Sequence, residues 1–402
     1  MKPSLVLSLL DTRTPTLIKL GTLLEKEGFD IFYFSNEPCS SILNQKKMIE
    51  LNINDQCDIN SELISKFSTI YKNDRSLSYY INEKKAMQMM QAWYENSVKF
   101  IISNGINYCL IEGTPAHELV FELACIDNNV AILNFFHAPG PRGWSLVSRS
   151  SVEYPLYKNS VKDLNYLNTV TKVKGIRKVY VDVSERKITK LFRFLKRKRN
   201  YNYYPKHIIL VKAAFFPLSY LLSKLLERMS GPQSNHVFYL HMEPERTVSN
   251  CGSLFTNQLE AIKCLTYNCD LHITLKEHPD WIGKRPISFL FQALINPKIN
   301  YKTVLTSQPK LAWTFSGSIA WERTQNELPT MALGNTYLQK SLYVRSFPEI
   351  ADSISKQDDD FFNFISDYVF EGELFGENLN PEVSEPANLN NLLRAIKICT
   401  TT

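Results

Sequence analysis

The fold class is decided by residues 106–135, whose sequence is INYCLIEGTPAHELVFELACIDNNVAILNF. The short apolar runs over 106–111 and 130–135 predict two buried strands, and the apolar spacing between them predicts a helix over 116–127. Two strands joined by a helix that packs on their sheet run parallel to each other. The stretch therefore predicts a βαβ unit within a parallel sheet.

The same alternation continues on both sides of this unit. Toward the start of the chain, strands are predicted over 4–9 and 29–34 and helices over 16–26 and 83–103. A second series follows a turn-rich part (136–180), an apolar stretch (207–226) and a Gly-Pro linker (231–235). Its predicted strands are 236–240, 271–276, 311–315 and 329–333, and its predicted helices are 256–266 and 319–326.

Two such series predict an α/β fold with two Rossmann-like domains that face a central cleft. We expect the domains to span residues 1–230 and 231–345. An acidic segment, 346–402, follows them and carries eleven Asp and Glu residues but one Lys between positions 349 and 385. Its helical pattern over 389–399 is expected to pack back on the first domain.

Composition narrows the class of protein. The chain has 402 residues, of which 44% are hydrophobic and 21% charged, which is typical of a globular protein. The opening residues lack a signal-peptide cleavage site, and no run of about 20 apolar residues is present. The eight cysteines form no C-x-x-C pair, so neither a disulfide framework nor a zinc site is predicted. A cytoplasmic location is expected.

Three polar motifs follow predicted strands of the second half. The first runs from His241 to Thr247 and contains Glu243, and the second is Lys276-Glu277-His278-Pro279. Ligands bind beyond the carboxyl ends of strands in open α/β sheets, so these side chains are candidates for ligand contacts. His278 could donate a hydrogen bond to a phosphate or a carboxylate, and Lys276 would add positive charge.

The third motif is Ser316-Gly317-Ser318, which precedes the predicted helix that carries Glu322. Backbone N–H groups and the dipole at a helix N-terminus favour an anion there. The second and third motifs are expected to be adjacent βα turns that hold the phosphate of one nucleotide, with Glu322 near its ribose hydroxyls. Phosphate-binding loops of the G-x-x-x-x-G-K-[ST] and G-x-G-x-x-G types are missing from the sequence, so it gives no support to an ATPase or a dehydrogenase.

The first half contains one comparable motif, which follows the strand predicted over 106–111. Glu112 is expected at the tip of that strand and His117 early in the next helix. Across a cleft from a bound nucleotide, a carboxylate or an imidazole could act as general base or nucleophile. His137 and Arg142, after the next strand, are secondary candidates.

Residues 238–337 resemble the bacterial capsule polysaccharide biosynthesis family, which includes Kdo transferases. Four segments carry the resemblance: Leu240–Glu245, Lys276–Pro279, Ser316–Glu322 and Pro329–Gly334. The resemblance implies a GT-B fold and a CMP-activated acidic sugar as donor, either Kdo or a sialic-like nonulosonic acid. It also implies transfer to a capsule or lipopolysaccharide acceptor. We expect no cofactor and no metal, since no D-x-D triplet lies near the motifs and a monophosphate leaving group needs less cationic help.

The partners follow partly from charge. Residues 186–206 contain nine Lys and Arg and no acidic residue, with interleaved aromatics. This segment is expected to hold the enzyme at the inner membrane surface, where lipid-linked acceptors reside. The same composition suits RNA, but no nucleic-acid-binding module is present and nucleic acid is not an expected partner. Three alternatives stay open: a teichoic-acid-type glycerophosphotransferase, a sugar-nucleotide epimerase, and a non-enzymatic partner in capsule assembly.

Overall fold

The computed structural model of the 402-residue chain contains two β-sheets surrounded by helices. It describes residues 2–9, 14–35, 47–51, 55–74, 77, 81–113, 115–138, 143–152, 155–159, 166, 206–241, 255, 257–315, 318–334, 336–341, 343–346, 359–374 and 386–401. The basic segment 186–206 lies outside these residues except for its last position.

The first sheet has seven strands in the order β13-β6-β5-β4-β1-β2-β3. Their bounds are β1 (Ser4–Ser8), β2 (Asp30–Ser35), β3 (Met48–Glu50), β4 (Tyr108–Ile111), β5 (Ala131–His137), β6 (Trp144–Ser148) and β13 (Val369–Glu371). Strands β1 to β5 are parallel to one another, whereas β6 is antiparallel to both β5 and β13. The sheet is therefore parallel in its centre and antiparallel at one edge.

Helices cover both faces of this sheet. They are α1 (Thr14–Lys26), α2 (Ile64–Asn73), α3 (Glu83–Asn104) and α4 (Ala116–Asp127). One buried cluster contains Phe34, Trp93 and Phe121, and a second on the other face contains Leu20 and Leu133. Burial of these apolar side chains on both faces explains why the central strands are almost wholly apolar.

The last part of the chain completes the first sheet. After α9 (Asp359–Ser366), strand β13 pairs with β6, and α10 (Pro386–Thr401) packs beside α1. Leu392 and Ile396 of α10 are buried in the cluster that includes Leu20. The Tyr108 hydroxyl also donates to the carbonyl of Thr400 at 2.7 Å. The acidic segment thus supplies a strand to the first sheet and a helix that packs on one face of that sheet.

The second sheet has six parallel strands in the order β12-β11-β10-β7-β8-β9. The strands are β7 (His236–Tyr239), β8 (Ile273–Lys276), β9 (Ile299–Lys302), β10 (Leu311–Thr314), β11 (Thr330–Ala332) and β12 (Val344–Ser346). The helices are α5 (Lys206–Met229), α6 (Gln258–Lys263), α7 (Ile287–Ile295) and α8 (Ser318–Gln325). A buried cluster that includes Phe238, Leu275 and Trp313 fills one face.

A fourth cluster joins the two sheets. It contains Leu146 and Val369, from the antiparallel edge of the first sheet, together with Trp321 of α8 and Val344 of β12, the edge strand of the second sheet. The rings of Phe136 and Tyr337 also approach to 6.1 Å between centroids. Phe136 lies near the carboxyl end of β5, and Tyr337 follows the carboxyl end of β11. The carboxyl edges of the two sheets therefore come close to each other at this point.

The predicted fold class is confirmed, because the chain is α/β with two parallel-dominated sheets. Five short strands were not predicted: β3, β6, β9, β12 and β13. Each has three to five residues. The helix predicted over 256–266 is divided into α6 and a π-helical turn, Cys264–Asn268. No helix among the described residues is long and apolar enough to span a membrane.

Candidate functional site

The strand order brings the predicted motifs of the second half to one edge. Strand β7 lies between β8 and β10, so the loops after β7, β8 and β10 are neighbours at the carboxyl ends of parallel strands. The second and third motifs are consequently separated by the first, rather than directly adjacent as predicted. Strands β8 and β9 extend the sheet from β7 in one direction, and β11 and β12 extend it from β10 in the other. The boundary between β7 and β10 is therefore the topological switch point, where ligands bind in such sheets.

His241, directly after β7, is fixed through both its backbone and its ring. Gln258, a fully buried residue at the start of α6, accepts from the His241 N–H at 2.6 Å and donates to its carbonyl at 3.1 Å. Nε2 of the His241 ring lies 2.8 Å from the hydroxyl of Thr314, the last residue of β10. This contact ties the loop after β7 to the strand that leads into the third motif.

A buried ion pair organises the second motif. Arg285 and Glu277 are 1% and 0% exposed, and the guanidinium donates to both carboxylate oxygens at 2.8–3.2 Å. Arg285 also donates to the carbonyl of His241 at 2.5 Å, and the Tyr301 hydroxyl donates to Glu277 at 2.8 Å. These contacts connect the ends of β7, β8 and β9. Arg285, Tyr301, Thr314 and Gln258 were not among the residues predicted from sequence.

His278 is positioned by that ion pair. Its backbone N–H donates to Oε1 of Glu277 at 2.8 Å, and its carbonyl accepts from Trp281 at 2.9 Å across the 3-10 turn that begins at Pro279. The His278 side chain is half-buried. Its main chain is therefore fixed from both sides.

Lys276 ends β8 directly before the ion pair. Its ammonium donates to the carbonyl of Glu277 at 2.8 Å. Burial lowers the pKa of Lys276, and the nearby carboxylates of Glu277 and Glu227 oppose that shift. Lys276 therefore brings a partly desolvated positive charge to the same loop as His278, where an anion would find it less screened than in water.

The third motif is described in part. Ser316 and Gly317 lie outside the described residues, as does Glu243 of the first motif. Ser318 begins α8, and Glu322 is half-buried one turn further on. The buried Arg323 next to it donates to the carbonyl of Pro329 at 2.8 Å and to that of Pro309 at 3.1 Å. These bonds fix α8 against the strands on either side.

The candidate site of the first sheet is built around Gly113. This residue has φ +70°, and a Cβ added to it would lie 2.5 Å from Cβ of Ser151. Its N–H donates to Glu118 at 2.7 Å, and the other carboxylate oxygen of Glu118 accepts from the Ser8 hydroxyl at the end of β1. Glu112, directly before Gly113, is half-buried at the tip of β4 as predicted. The loop that carries Glu112 is thus locked by a buried carboxylate.

His117 occupies a different environment from the one predicted. It is fully buried on α4, with its ring edge-on to Phe34 and Trp93 at 6.4 and 6.3 Å between centroids. Neither ring nitrogen has a hydrogen-bond partner among the described residues, and burial lowers the pKa of His117 to about 3. An imidazole in the apolar core cannot reach an acceptor hydroxyl. Of the two predicted bases, Glu112 is the one that lies half-buried at the end of a strand.

The two secondary candidates for catalysis are His137 and Arg142, and the structure describes the first of them. Arg142 lies outside the described residues. Nδ1 of His137, at the end of β5, lies 2.5 Å from Oε1 of Glu373, which follows β13. The second carboxylate oxygen of Glu373 accepts from the N–H of Gly143 at 3.2 Å. This arrangement closes the antiparallel edge of the sheet, so His137 has a structural partner there. Within the described part of the chain, no group of three or more His, Cys, Asp or Glu residues could hold a metal ion.

No family model and no curated protein sequence matches the chain. Among solved structures, it is similar to the KpsC beta Kdo 2,7 transferase of Thermosulfurimonas dismutans, with 11% identity over 75% of this chain and 89% of that one and a TM-score of 0.36. The KpsC beta Kdo 2,4 transferase of the same organism gives 10% identity over 73% and 87% of the chains and a TM-score of 0.33. The UDP-GlcNAc 2-epimerase of Methanocaldococcus jannaschii gives 13% identity over the full length of both chains and a TM-score of 0.29.

Proposed function

We propose that the protein is a glycosyltransferase that moves an acidic ulosonic sugar, Kdo or a sialic-like nonulosonic acid, from a CMP-activated donor to a capsule or lipopolysaccharide acceptor. The observation that carries the proposal is the buried Glu277–Arg285 pair. It holds the backbone of His278 and the carbonyl of His241 at the switch point of the second sheet. Such a preorganised edge supports a nucleotide site better than an ordinary surface loop does.

The donor phosphate would lie against His278 and Lys276, with Pro279 restricting the approach of the imidazole. The N-terminus of α8, with Ser316, Gly317 and Ser318, would contribute backbone N–H groups to the same phosphate. Glu322 would bond the ribose hydroxyls, and His241 and Glu243 would line the adjacent side. The proposal includes no metal cofactor, because the leaving group is a single phosphate already supplied with cationic and N–H partners.

In the reaction, the bond between the anomeric carbon of the sugar and the CMP phosphate oxygen breaks, and CMP leaves with the electron pair. The transition state has oxocarbenium character, and the phosphate gains negative charge as the bond breaks. His278 and Lys276 would stabilise that charge. Electrostatic stabilisation of the charge that develops in the transition state is usually the largest single contribution to catalysis. Glu112 would accept the proton of the acceptor hydroxyl as it attacks the anomeric carbon.

The proposed setting is the cytoplasmic face of the inner membrane. The basic segment 186–206 would associate with anionic lipids by charge, because clusters of Lys and Arg are attracted to such surfaces. This location would bring the enzyme to lipid-linked acceptors.

The first test is thermal stabilisation of the purified chain by CMP, CDP, UDP and GDP. We expect CMP to raise the melting temperature of the wild type, since a ligand that binds only the folded state stabilises it by mass action. His278→Ala should lose this shift. His272→Ala is the matched control, because His272 is an exposed histidine before the same strand. A preference for UDP would contradict the CMP donor and favour the epimerase alternative.

The second test separates binding from chemistry. Incubation with CMP-Kdo, CMP-nonulosonates and CDP-glycerol should release CMP and form a glycosidic product only from an acidic-sugar donor. Glu112→Gln should keep the CMP-induced thermal shift and reduce transfer by about 10²-fold or more, the usual contribution of a general base. Glycerol phosphate transfer from CDP-glycerol would point to the glycerophosphotransferase alternative. Wild-type protein that neither binds CMP nor turns over any donor would point to a non-enzymatic assembly partner.

A further inference from the structure

Helix α5 packs against the second sheet and exposes an apolar stripe. The stripe consists of Phe215, Leu218, Leu221, Leu225 and Met229, which recur every three or four residues and are 45–65% exposed. This spacing places all five side chains along one side of the helix.

The buried side of α5 contains two serines. Ser219 and Ser223 are 5% and 0% exposed, and the Ser223 hydroxyl donates to the carbonyl of Ser219 at 2.8 Å. Leu226 belongs to the buried cluster of the second sheet, and the partly buried Leu222 packs against it. A surface helix normally buries its large apolar side chains and exposes its polar ones. In α5 five further large apolar side chains stay exposed although two apolar residues already pack on the sheet, which indicates that the stripe contacts something other than water.

Charged residues lie beside the stripe, and the neighbouring helix exposes apolar residues of its own. Lys224 and Arg228 lie next to the stripe on α5, and the acidic residue nearby, Glu227, is engaged with Lys224 and with the backbone N–H of Thr303. Helix α7, which packs against α5, exposes Phe291 and Ile295 by more than half. Nine Lys and Arg residues occupy positions 186–206, and the last of them is the first residue of α5.

We infer that the C-terminal half of α5, residues 215–229, is an interfacial helix that inserts its apolar stripe into the acyl boundary of an anionic lipid surface. Apolar side chains on one face of a helix, next to Lys and Arg, fit the boundary between lipid head groups and acyl chains. Arg228 and the nine Lys and Arg residues that lead into α5 favour an anionic surface over a neutral one. The inference rests on the proposed membrane location, but not on the donor or the reaction.

The test is flotation of the full chain with lipid vesicles. Vesicles of phosphatidylcholine alone are compared with vesicles in which about one-third of the lipid is phosphatidylglycerol, at low and high salt. We expect the wild type to float with the anionic vesicles and part of the binding to persist at high salt. Salt screens the contribution of the basic residues but not the contribution of the apolar stripe.

The decisive variant is Leu221→Ser with Leu225→Ser, which removes apolar surface without a change in charge. Its vesicle binding should fall at least tenfold at both salt concentrations. Ile102→Ser with Ile126→Ser is the matched control, because both isoleucines are exposed by more than half on α3 and α4 of the first sheet. The control should bind vesicles within twofold of the wild type.

Two results would overturn the inference. One is equal vesicle binding by the wild type and the Leu221/Leu225 variant. The other is a wild-type dimer in sedimentation velocity that becomes monomeric in the variant, which would identify the stripe as a contact between two copies. The thermal shift with CMP is measured without lipid, so either result leaves the donor proposal to be judged separately.

Discussion

The buried ion pair between Arg285 and Glu277 allows the sharpest test of the architecture around His278. We consider Arg285→Met, which keeps most of the side-chain volume and removes the charge. The variant leaves the Glu277 carboxylate, which is 0% exposed, with the Tyr301 hydroxyl and the His278 N–H as its remaining donors among those described above. It also removes a donor from the carbonyl of His241.

The expected cost follows from burial. Removal of one partner from a buried pair leaves the other charge uncompensated and costs about 3–5 kcal/mol of the free energy of unfolding. With a urea dependence of about 2 kcal/mol per M, the midpoint of urea unfolding should fall by about 2 M. The CMP-induced thermal shift proposed above should weaken with it, because the Glu277 carboxylate that accepts the His278 N–H loses the guanidinium that orients it.

Urea unfolding followed by tryptophan fluorescence and circular dichroism measures the effect. Lys66→Met is the control, since Lys66 pairs with Asp127 at 3.5 Å on the surface, with both side chains at least 30% exposed. An exposed pair of this kind contributes about 0–1 kcal/mol. The reasoning is refuted if Arg285→Met unfolds at the same urea concentration as Lys66→Met and still responds to CMP.

Three further experiments test the Glu277 network and two sites of the first sheet. Tyr301→Phe removes one donor from the Glu277 carboxylate and should lower the free energy of unfolding by about 1–3 kcal/mol, less than Arg285→Met in the same urea assay. An equal loss would contradict the dominant role of the arginine in supporting the carboxylate. Gly113→Ala places a Cβ at φ +70° and against Ser151, and should lower the free energy of unfolding by more than about 2 kcal/mol. Gly105→Ala is the comparison: at φ +57°, with no atom within 4 Å of the added Cβ, it should lower the free energy of unfolding by about 1 kcal/mol. Thermal unfolding measures both variants, and equal losses would contradict the close contact at Gly113. His117→Leu tests the buried histidine, whose pKa burial lowers to about 3 in the folded protein. Between pH 6.5 and pH 3 the unfolded chain therefore binds one proton more than the folded chain at this residue. The wild type should lose up to about 1.4 kcal/mol of stability per pH unit as the pH falls through that range. The leucine variant should show a shallower pH dependence of its stability and keep the transfer activity proposed above. Loss of transfer with intact folding would restore His117 as a catalytic candidate.

The sequence predicted those features that depend on local pattern. Alternating apolar runs and helical spacing are contained within each βα unit, so the parallel strands and the positions of Glu112, His241 and His278 at strand ends were accessible. The network that fixes the second motif was not, because Arg285 lies 8 residues and Tyr301 24 residues from Glu277. Nothing in the local pattern around either residue indicates that its side chain turns inward to a carboxylate.

His117 shows a second limit of sequence patterns. Its position early in a predicted helix gave no information about which side of α4 faces the sheet. Both Glu118 and Glu122 on the same helix are also buried, at 0% and 5% exposed, so polarity did not mark the outer face. Their carboxylates are retained inside because they accept backbone N–H groups of Gly113 and Ser151 at 2.7 Å. A polar residue in such a helix is therefore a poor guide to the surface.

The pairing of β6 with β13 sets the order in which the chain can fold during synthesis. These strands are joined by a register that matches Val369 to Leu146, more than 200 residues apart. The six strands of the second sheet are all contained between residues 236 and 346. A ribosome would therefore release a segment able to form the whole second sheet while the first still lacks its edge strand and α10. Contacts between distant residues form slowly and leave apolar surface exposed in the interval, so we expect chaperones to bind nascent chains at the α1 face that α10 later covers.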